Sequence, residues 1–211
     1  MKNKKRVTSL FFAAVIIIPL AIFGAVSWYQ RNISGLPYYG EKYTIEKSAP
    51  YFKVPGFNFI DQDSMPIDQS FTKHKVWVAN FFFTSCPSIC PQMMHNLTKV
   101  QEAFANDDDI RIVSFTVDPE HDSPSRLNNY AQRYGINAKQ WQLATGNKKD
   151  LYRFARKGLF VVATDGDGGA GDFIHSDNLV LIDKDGHIRG YYDGTGNVEV
   201  KRLITDIKTL Q

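Results

Sequence analysis

The segment Thr84-Ser85-Cys86-Pro87-Ser88-Ile89-Cys90-Pro91 holds the only two cysteines of the 211-residue chain, four positions apart. It directly follows Val76-Trp77-Val78-Ala79-Asn80-Phe81-Phe82-Phe83, a β-branched and aromatic run of the kind that forms a strand buried on both faces. Beyond Cys90, the residues Gln92, Met93, Met94, Leu97, Val100 and Phe104 recur at helical spacing. The two thiols are therefore expected where a central strand turns into a helix. Pro87 keeps Cys86 out of the helical region and is itself tolerated in a first helical turn. Unpaired backbone N–H groups and the positive end of the helix dipole should then face the sulfurs. Such a position favours thiolate, the form that attacks disulfides and binds soft metals. Residues four apart share a helix face, so both sulfurs are expected to reach one small ion or each other. A purely structural disulfide is disfavoured, because closing so short a loop contributes little chain entropy.

The amino terminus sets the expected compartment. Lys2, Lys4, Lys5 and Arg6 precede a run from Val7 to Trp28, 22 residues without a charge. About 20 apolar residues span a bilayer, and basic residues before the span keep that end in the cytoplasm. Ala25-Val26-Ser27 resembles a small-residue cleavage site, but the run exceeds a signal core of about 7–15 residues, so an uncleaved anchor is favoured over a signal peptide. No cysteine near the start offers a lipid attachment point. The expected placement is a single-pass protein of the cytoplasmic (inner) membrane with its domain on the periplasmic side.

Four of the cationic residues lie in the first six, so without them the formal charge of +3 becomes −1. The basic balance is thus a topology signal, and no nucleic-acid partner is expected. Residues 1–28 are taken as the anchor and 29–50 as a polar tether carrying Gly35, Pro37, Gly40 and Pro50. Residues 51–211 are enough for one domain around one core.

Within that domain strands and helices alternate. Phe57-Asn58-Phe59-Ile60 and Met65-Pro66-Ile67 flank a turn at Asp61-Gln62-Asp63-Ser64 and predict a hairpin. Ile110–Val117 reads as a second central strand. Ser123-Pro124 opens a helix that stops near Gly135. Trp141–Ala144 reads as a short strand, and Lys148–Lys157 as a helix ended by Gly158. Asn178–Asp183 and His187–Tyr192 flank Lys184-Asp185-Gly186 as a second hairpin, and Val198–Leu210 closes the chain as an amphipathic helix. This order predicts an α/β sandwich around a mixed sheet, with ligands outside the carboxyl ends of the parallel strands, where the cysteines lie.

Five histidines are candidates for a third donor. His74 sits between lysines, His121 lies in a proline-bounded loop, and His187 reads as a hairpin surface residue. His95 lies five residues past Cys90, off the sulfur face. His175 differs: it follows the glycine-rich stretch Asp165–Asp172 and precedes the Asn178–Asp183 strand. Spacing alone does not put it beside the thiols.

The cysteine segment, Thr116-Val117-Asp118-Pro119-Glu120-His121-Asp122-Ser123-Pro124, and His175-Ser176 before Leu181-Ile182-Asp183 together resemble the Sco/SenC family from about residue 51 onward. The resemblance implies a thioredoxin-like fold with an extra amino-terminal β-hairpin, preceded by a transmembrane helix. It implies copper-binding proteins that help assemble the dinuclear copper centre of cytochrome c oxidase. The family's motif cysteines fall on Cys86 and Cys90, its histidine ligand on His175, and the aspartate of its Asp-Pro loop on Asp118, which would stand beside the ligands or serve only as an ordinary turn residue. The chain departs from many members in having Ser88 for an acidic residue and His121 for an arginine, and Asp165–Asp172 has the look of an insertion.

Two thiolates and an imidazole suit Cu(I), and also Cu(II) in a distorted site; structural zinc wants four ligands. The same dithiol can cycle to a disulfide. The favoured expectation is a membrane-anchored copper chaperone with Cys86, Cys90 and His175 as ligands. Its partners would be the copper-bearing subunit of cytochrome c oxidase and other copper or thiol-redox proteins. The alternatives are a thiol–disulfide oxidoreductase that keeps partner cysteines reduced, with Cys86 and Cys90 as the redox-active pair, and a thiol peroxidase. Met93 and Met94 read as core packing in preference to spare ligands, and the aspartates of 165–172 as a loop without EF-hand order.

Overall fold

The computed structural model describes residues 15–26, 28, 35–40, 51–161 and 176–211. Contacts divide the chain into two units, Met1–Pro37 and Tyr38–Gln211. In the first, residues 15–26 are helical. Among the described residues no helix is long and apolar enough to cross a membrane, and part of the expected span at 7–28 lies outside them.

The second unit is a mixed seven-stranded sheet in the order β2-β1-β5-β4-β3-β6-β7. Its strands are β1 (Asn58–Asp61), β2 (Pro66–Asp68), β3 (Val76–Phe82), β4 (Ile110–Thr116), β5 (Trp141–Thr145), β6 (Asn178–Ile182) and β7 (Ile188–Asp193). Its helices are α1 (Ile89–Ala103), α2 (Pro124–Tyr134), α3 (Lys148–Arg153) and α4 (Asn197–Thr209). β3 runs parallel to β4, and β4 parallel to β5, because α1 and α2 supply the crossovers that parallel neighbours require. β6 returns antiparallel on the other side of β3 and β7 folds back on it. The hairpin of β1 and β2 joins through β5, with Phe59 opposite Ile67 and Ile60 opposite Thr145.

Alternation divides the core between the two faces of the sheet. Trp77, Ala79 and Phe81 of β3 with Val113, Phe115 and Val117 around β4 face an aromatic cluster; the ring of Phe115 lies 5.5 Å from Phe57, 5.5 Å from Phe81 and 5.1 Å from Phe154. The expected amino-terminal hairpin thus extends the sheet beyond β5, and Phe57 and Phe59 are buried because their side chains complete the cluster on this face. The alternate β3 residues face α1 and α2, where Phe82 stacks on Tyr130 at 5.4 Å. Asn80, Ser114 and Trp141 form a buried polar row across three strands: Ser114 Oγ donates to Asn80 Oδ1 at 2.5 Å and accepts from Trp141 Nε1 at 2.9 Å. Met93 and Met94 are fully buried, in keeping with core packing.

Three local expectations change. The helix expected over 148–157 is α-helical only to Arg153 and widens into a π turn over Phe154–Gly158. A Cβ at Gly158 would lie 2.9 Å from the Phe154 ring, so the chain closes on that ring without a side chain in between. The helix of the cysteines begins at Ile89, leaving Cys86 and Pro87 in the loop before it. His187 is half-buried instead of a surface residue: its Nδ1 donates to Phe52 O at 2.8 Å and its ring meets the faces of Tyr38 and Tyr51 edge-on. Residues 38–40 lie along the β7 edge, where Tyr39 N donates to Ile188 O at 2.9 Å.

Candidate functional site

β3 ends at Phe82, and after six intervening residues α1 begins without a side-chain cap: Ser88 at the N-cap makes no such bond. A helix start leaves N–H groups unpaired, and here a sulfur meets one of them. Cys90 N donates to Cys86 Sγ at 3.4 Å, while Cys86 N donates back to Phe83 O at 3.2 Å. The juxtaposition of the cysteines comes from this turn and not from a shared helix face, since Cys86 precedes the helix. Both thiols are free.

The same geometry makes the pair unequal. Partial burial by itself would push the Cys86 thiol up, but backbone N–H groups of Ser88, Cys90 and Ile89 and the Cys90 thiol all favour its thiolate and hold it below the ordinary value. Cys90 is 3% exposed. Burial first, then the Cys86 thiol, and further on the charge of Asp122, push it up to about 12. The site therefore offers one half-buried sulfur whose thiolate is favoured and one buried, protected thiol.

Asp122 is the residue the sequence reading missed. It is fully buried, with 0% exposure. Its Oδ1 accepts from Thr84 Oγ1 at 2.5 Å, and its Oδ2 accepts from Thr116 Oγ1 at 2.5 Å and from Thr84 N at 3.1 Å. Arg126 Nε donates to Thr84 Oγ1 at 2.7 Å and stands 3.8 Å from Asp122 Oδ1. A second aspartate in Asp118–Asp122, four residues before the Arg126 that follows the helix cap, was the available signal. Asp118 itself pairs with His121 Nδ1 at 2.8 Å, and the bond raises the His121 pKa above its ordinary value. No hydrogen bond joins Asp118 to either cysteine among the described residues.

His175 and the Asp165–Asp172 stretch lie outside the described residues. Among those described, no group of three or more His, Cys, Asp or Glu side chains is arranged to hold a metal ion. What is described of the chain beyond His175 is tied to the cysteine helix: Asp177 O accepts from Gly194 N at 2.8 Å, and Gly194 O accepts from the buried Asn96 Nδ2 of α1 at 2.7 Å. Gln92 Nε2, two residues after Cys90, donates to Thr195 O at 2.7 Å.

A free dithiol at a strand-to-helix turn, at the carboxyl end of a central strand in a mixed sheet of this order, defines a thioredoxin-like thiol protein. Residues 45–211 match the family model described as SCO1/SenC, and the chain belongs to that family. It is 32% identical over 160 residues to the SCO1 protein homolog of Bacillus subtilis, covering 75% of this chain and 82% of that one. It is similar to the structure of BsSco, described as having a disulfide switch and as a member of the Sco family of cytochrome c oxidase assembly proteins. The identity is 31% and the TM-score 0.64, with 75% of this chain and 93% of that one covered. The copper-bound ScoI of Bradyrhizobium japonicum matches with a TM-score of 0.61 over 76% of this chain and 100% of that one; at 21% identity this likeness is one of fold.

Proposed function

We propose that this chain is a copper chaperone for cytochrome c oxidase assembly, holding the ion through Cys86, Cys90 and His175 and anchored by its amino-terminal segment with residues 51–211 on the periplasmic side. The observation that carries the reading is the free, unequal thiol pair at the start of α1, in a chain of this family. A soft ion suits two sulfurs and an imidazole. The more accessible sulfur, that of Cys86, captures the ion as thiolate. Cys90 gives up its proton only when the ion replaces it, so release to a partner is assisted by reprotonation. Two features support His175 as the third donor. β6 is antiparallel to β3 with Val180 opposite Ala79, so the chain enters β6 at the end of the sheet where β3 leaves it. Asp177, two residues on, is bonded through Gly194 to the helix of the cysteines.

A second reading, thiol–disulfide exchange with a partner's cysteines, is favoured by the inequality itself. A more accessible thiolate beside a buried thiol is the arrangement of an attacking and a resolving sulfur.

The test is an anaerobic titration of the full-length chain in detergent with Cu(I) and with Cu(II), in the dithiol and disulfide states. One copper per reduced chain is expected, with binding lost on oxidation and Cu(II) affinity strongly reduced in His175→Ala. Stoichiometric binding by the disulfide form would remove the cysteines from the ligand set. Disulfide reduction in an apo oxidase copper domain without metal transfer would select the second reading.

A further inference from the structure

We propose that Asp122, acting through Thr84 and Thr116, is a positioning residue for the thiol pair: a buried latch that holds the Cys86 loop in its reduced conformation and thereby sets the dithiol–disulfide equilibrium. The argument is one of donors and acceptors. The Thr84 hydroxyl accepts from Arg126 Nε and donates to Asp122 Oδ1. The Thr116 hydroxyl accepts from Asp118 N at 3.0 Å and donates to Asp122 Oδ2. A hydroxyl carries a single proton, so both protons are committed to the carboxylate, which also takes the Thr84 N–H. The result is a closed network joining the end of β4, the start of α2 and the loop two residues before Cys86.

Its position gives it leverage. Thr84 is the last residue held by a side chain before the segment in which Cys86 Sγ meets the Cys90 N–H. With Thr84 fixed at one end and α1 at the other, the loop presents the Cys86 sulfur to the helix start. Released at Thr84, the loop loses that placement, and the reduced form loses the hydrogen bond that Cys90 N gives the Cys86 sulfur. The disulfide depends less on that bond, so loosening the latch should shift the pair toward oxidation. This inference concerns the dithiol alone and holds whether the pair carries copper or exchanges disulfides.

The experiment equilibrates the full-length protein with dithiothreitol redox buffers in the presence of a metal chelator. Oxidation forms the Cys86–Cys90 disulfide and transfers two electrons and two protons to oxidised dithiothreitol, whose own disulfide opens. Thr84→Val and Thr116→Val remove one hydroxyl each and keep shape and the Asp122 charge; Thr84→Ser restores the hydroxyl. Each valine variant should move the equilibrium constant toward the disulfide by roughly threefold or more, the scale of one lost internal hydrogen bond, and Thr84→Ser should match the wild type. Asp122→Asn removes the latch entirely but also a charge, and is the variant most prone to misfold; the valine variants do not depend on it. Folded valine variants with the wild-type constant, or with a lowered melting temperature and nothing else, would overturn the proposal. So would an equal shift in Thr84→Ser. Because no metal is present, failure of the wild type to bind copper would refute the chaperone reading and leave this one untouched.

Discussion

At the scale of single residues, the site works through contrast. Cys86 and Cys90 are the same side chain four positions apart, yet one lies below and the other well above the ordinary thiol range. Alkylation follows thiolate and access, so iodoacetamide at neutral pH should modify Cys86 faster than Cys90 by about tenfold or more, read by peptide mass spectrometry. Equal rates would contradict the assigned inequality. His121 gives a second residue-level prediction. Its pKa is raised by Asp118, so its contribution to stability is fully present below the unfolded-state value and is lost as pH rises through the folded-state value. The difference in melting temperature between wild type and His121→Asn should be visible near pH 5.5 and vanish near pH 8.5, either side of the ordinary histidine value of about 6.5. A difference that persists unchanged at the higher pH would assign the effect to packing. The pair is exposed, so the effect is small.

At the scale of elements, the connection between α1 and the start of β6 is the feature to disturb. A Cβ at Gly194 would stand 2.9 Å from Asp177 O and 3.0 Å from Leu179 Cδ2. The first of these is backbone and cannot swing aside. Gly194→Ala should therefore cost about 1–3 kcal/mol in denaturant unfolding, the scale of overpacking. Asn96→Ala should cost a similar amount, about 1–3 kcal/mol, by leaving the buried Gly194 carbonyl unpaired. If neither variant shifts the unfolding midpoint, the link is not a structural joint. The hairpin was legible from its alternation and turn, and so was α2. Ser123 caps it by accepting from Arg126 N, Pro124 starts it, and Gly135 ends it at φ +62°. The π turn at Phe154–Gly158 was not legible. It follows from the fit of the Phe154 ring against Phe57, Phe59 and Phe115, a contact between elements about 40 to 100 residues apart that no local period encodes.

At the scale of the molecule, a cysteine helix seated on one face of the sheet leaves the thiols at the carboxyl end of β3, while the amino-terminal hairpin extends the sheet beyond β5. If the basic residues 2–6 and the uncharged run to Trp28 act as an anchor, protease added to spheroplasts should digest the domain, and protection beside a digested control would reverse the proposed topology. The sequence by itself determined the order of strands and helices, the two cysteines at a strand-to-helix turn, and the motifs through which the chain resembles its family. These depend on periods of two and 3.6 residues and on turn chemistry, all written locally. Only the tertiary structure decided that Cys90 is sealed while Cys86 is only half-buried, that His187 packs edge-on against two stacked tyrosines and bonds a backbone carbonyl, and that Asp122 is a buried hub. Thr84 and Asp122 are 38 residues apart. Burial and hydrogen-bond partners are set by what the rest of the chain brings alongside, and it is burial, through desolvation, that makes two identical thiols chemically different.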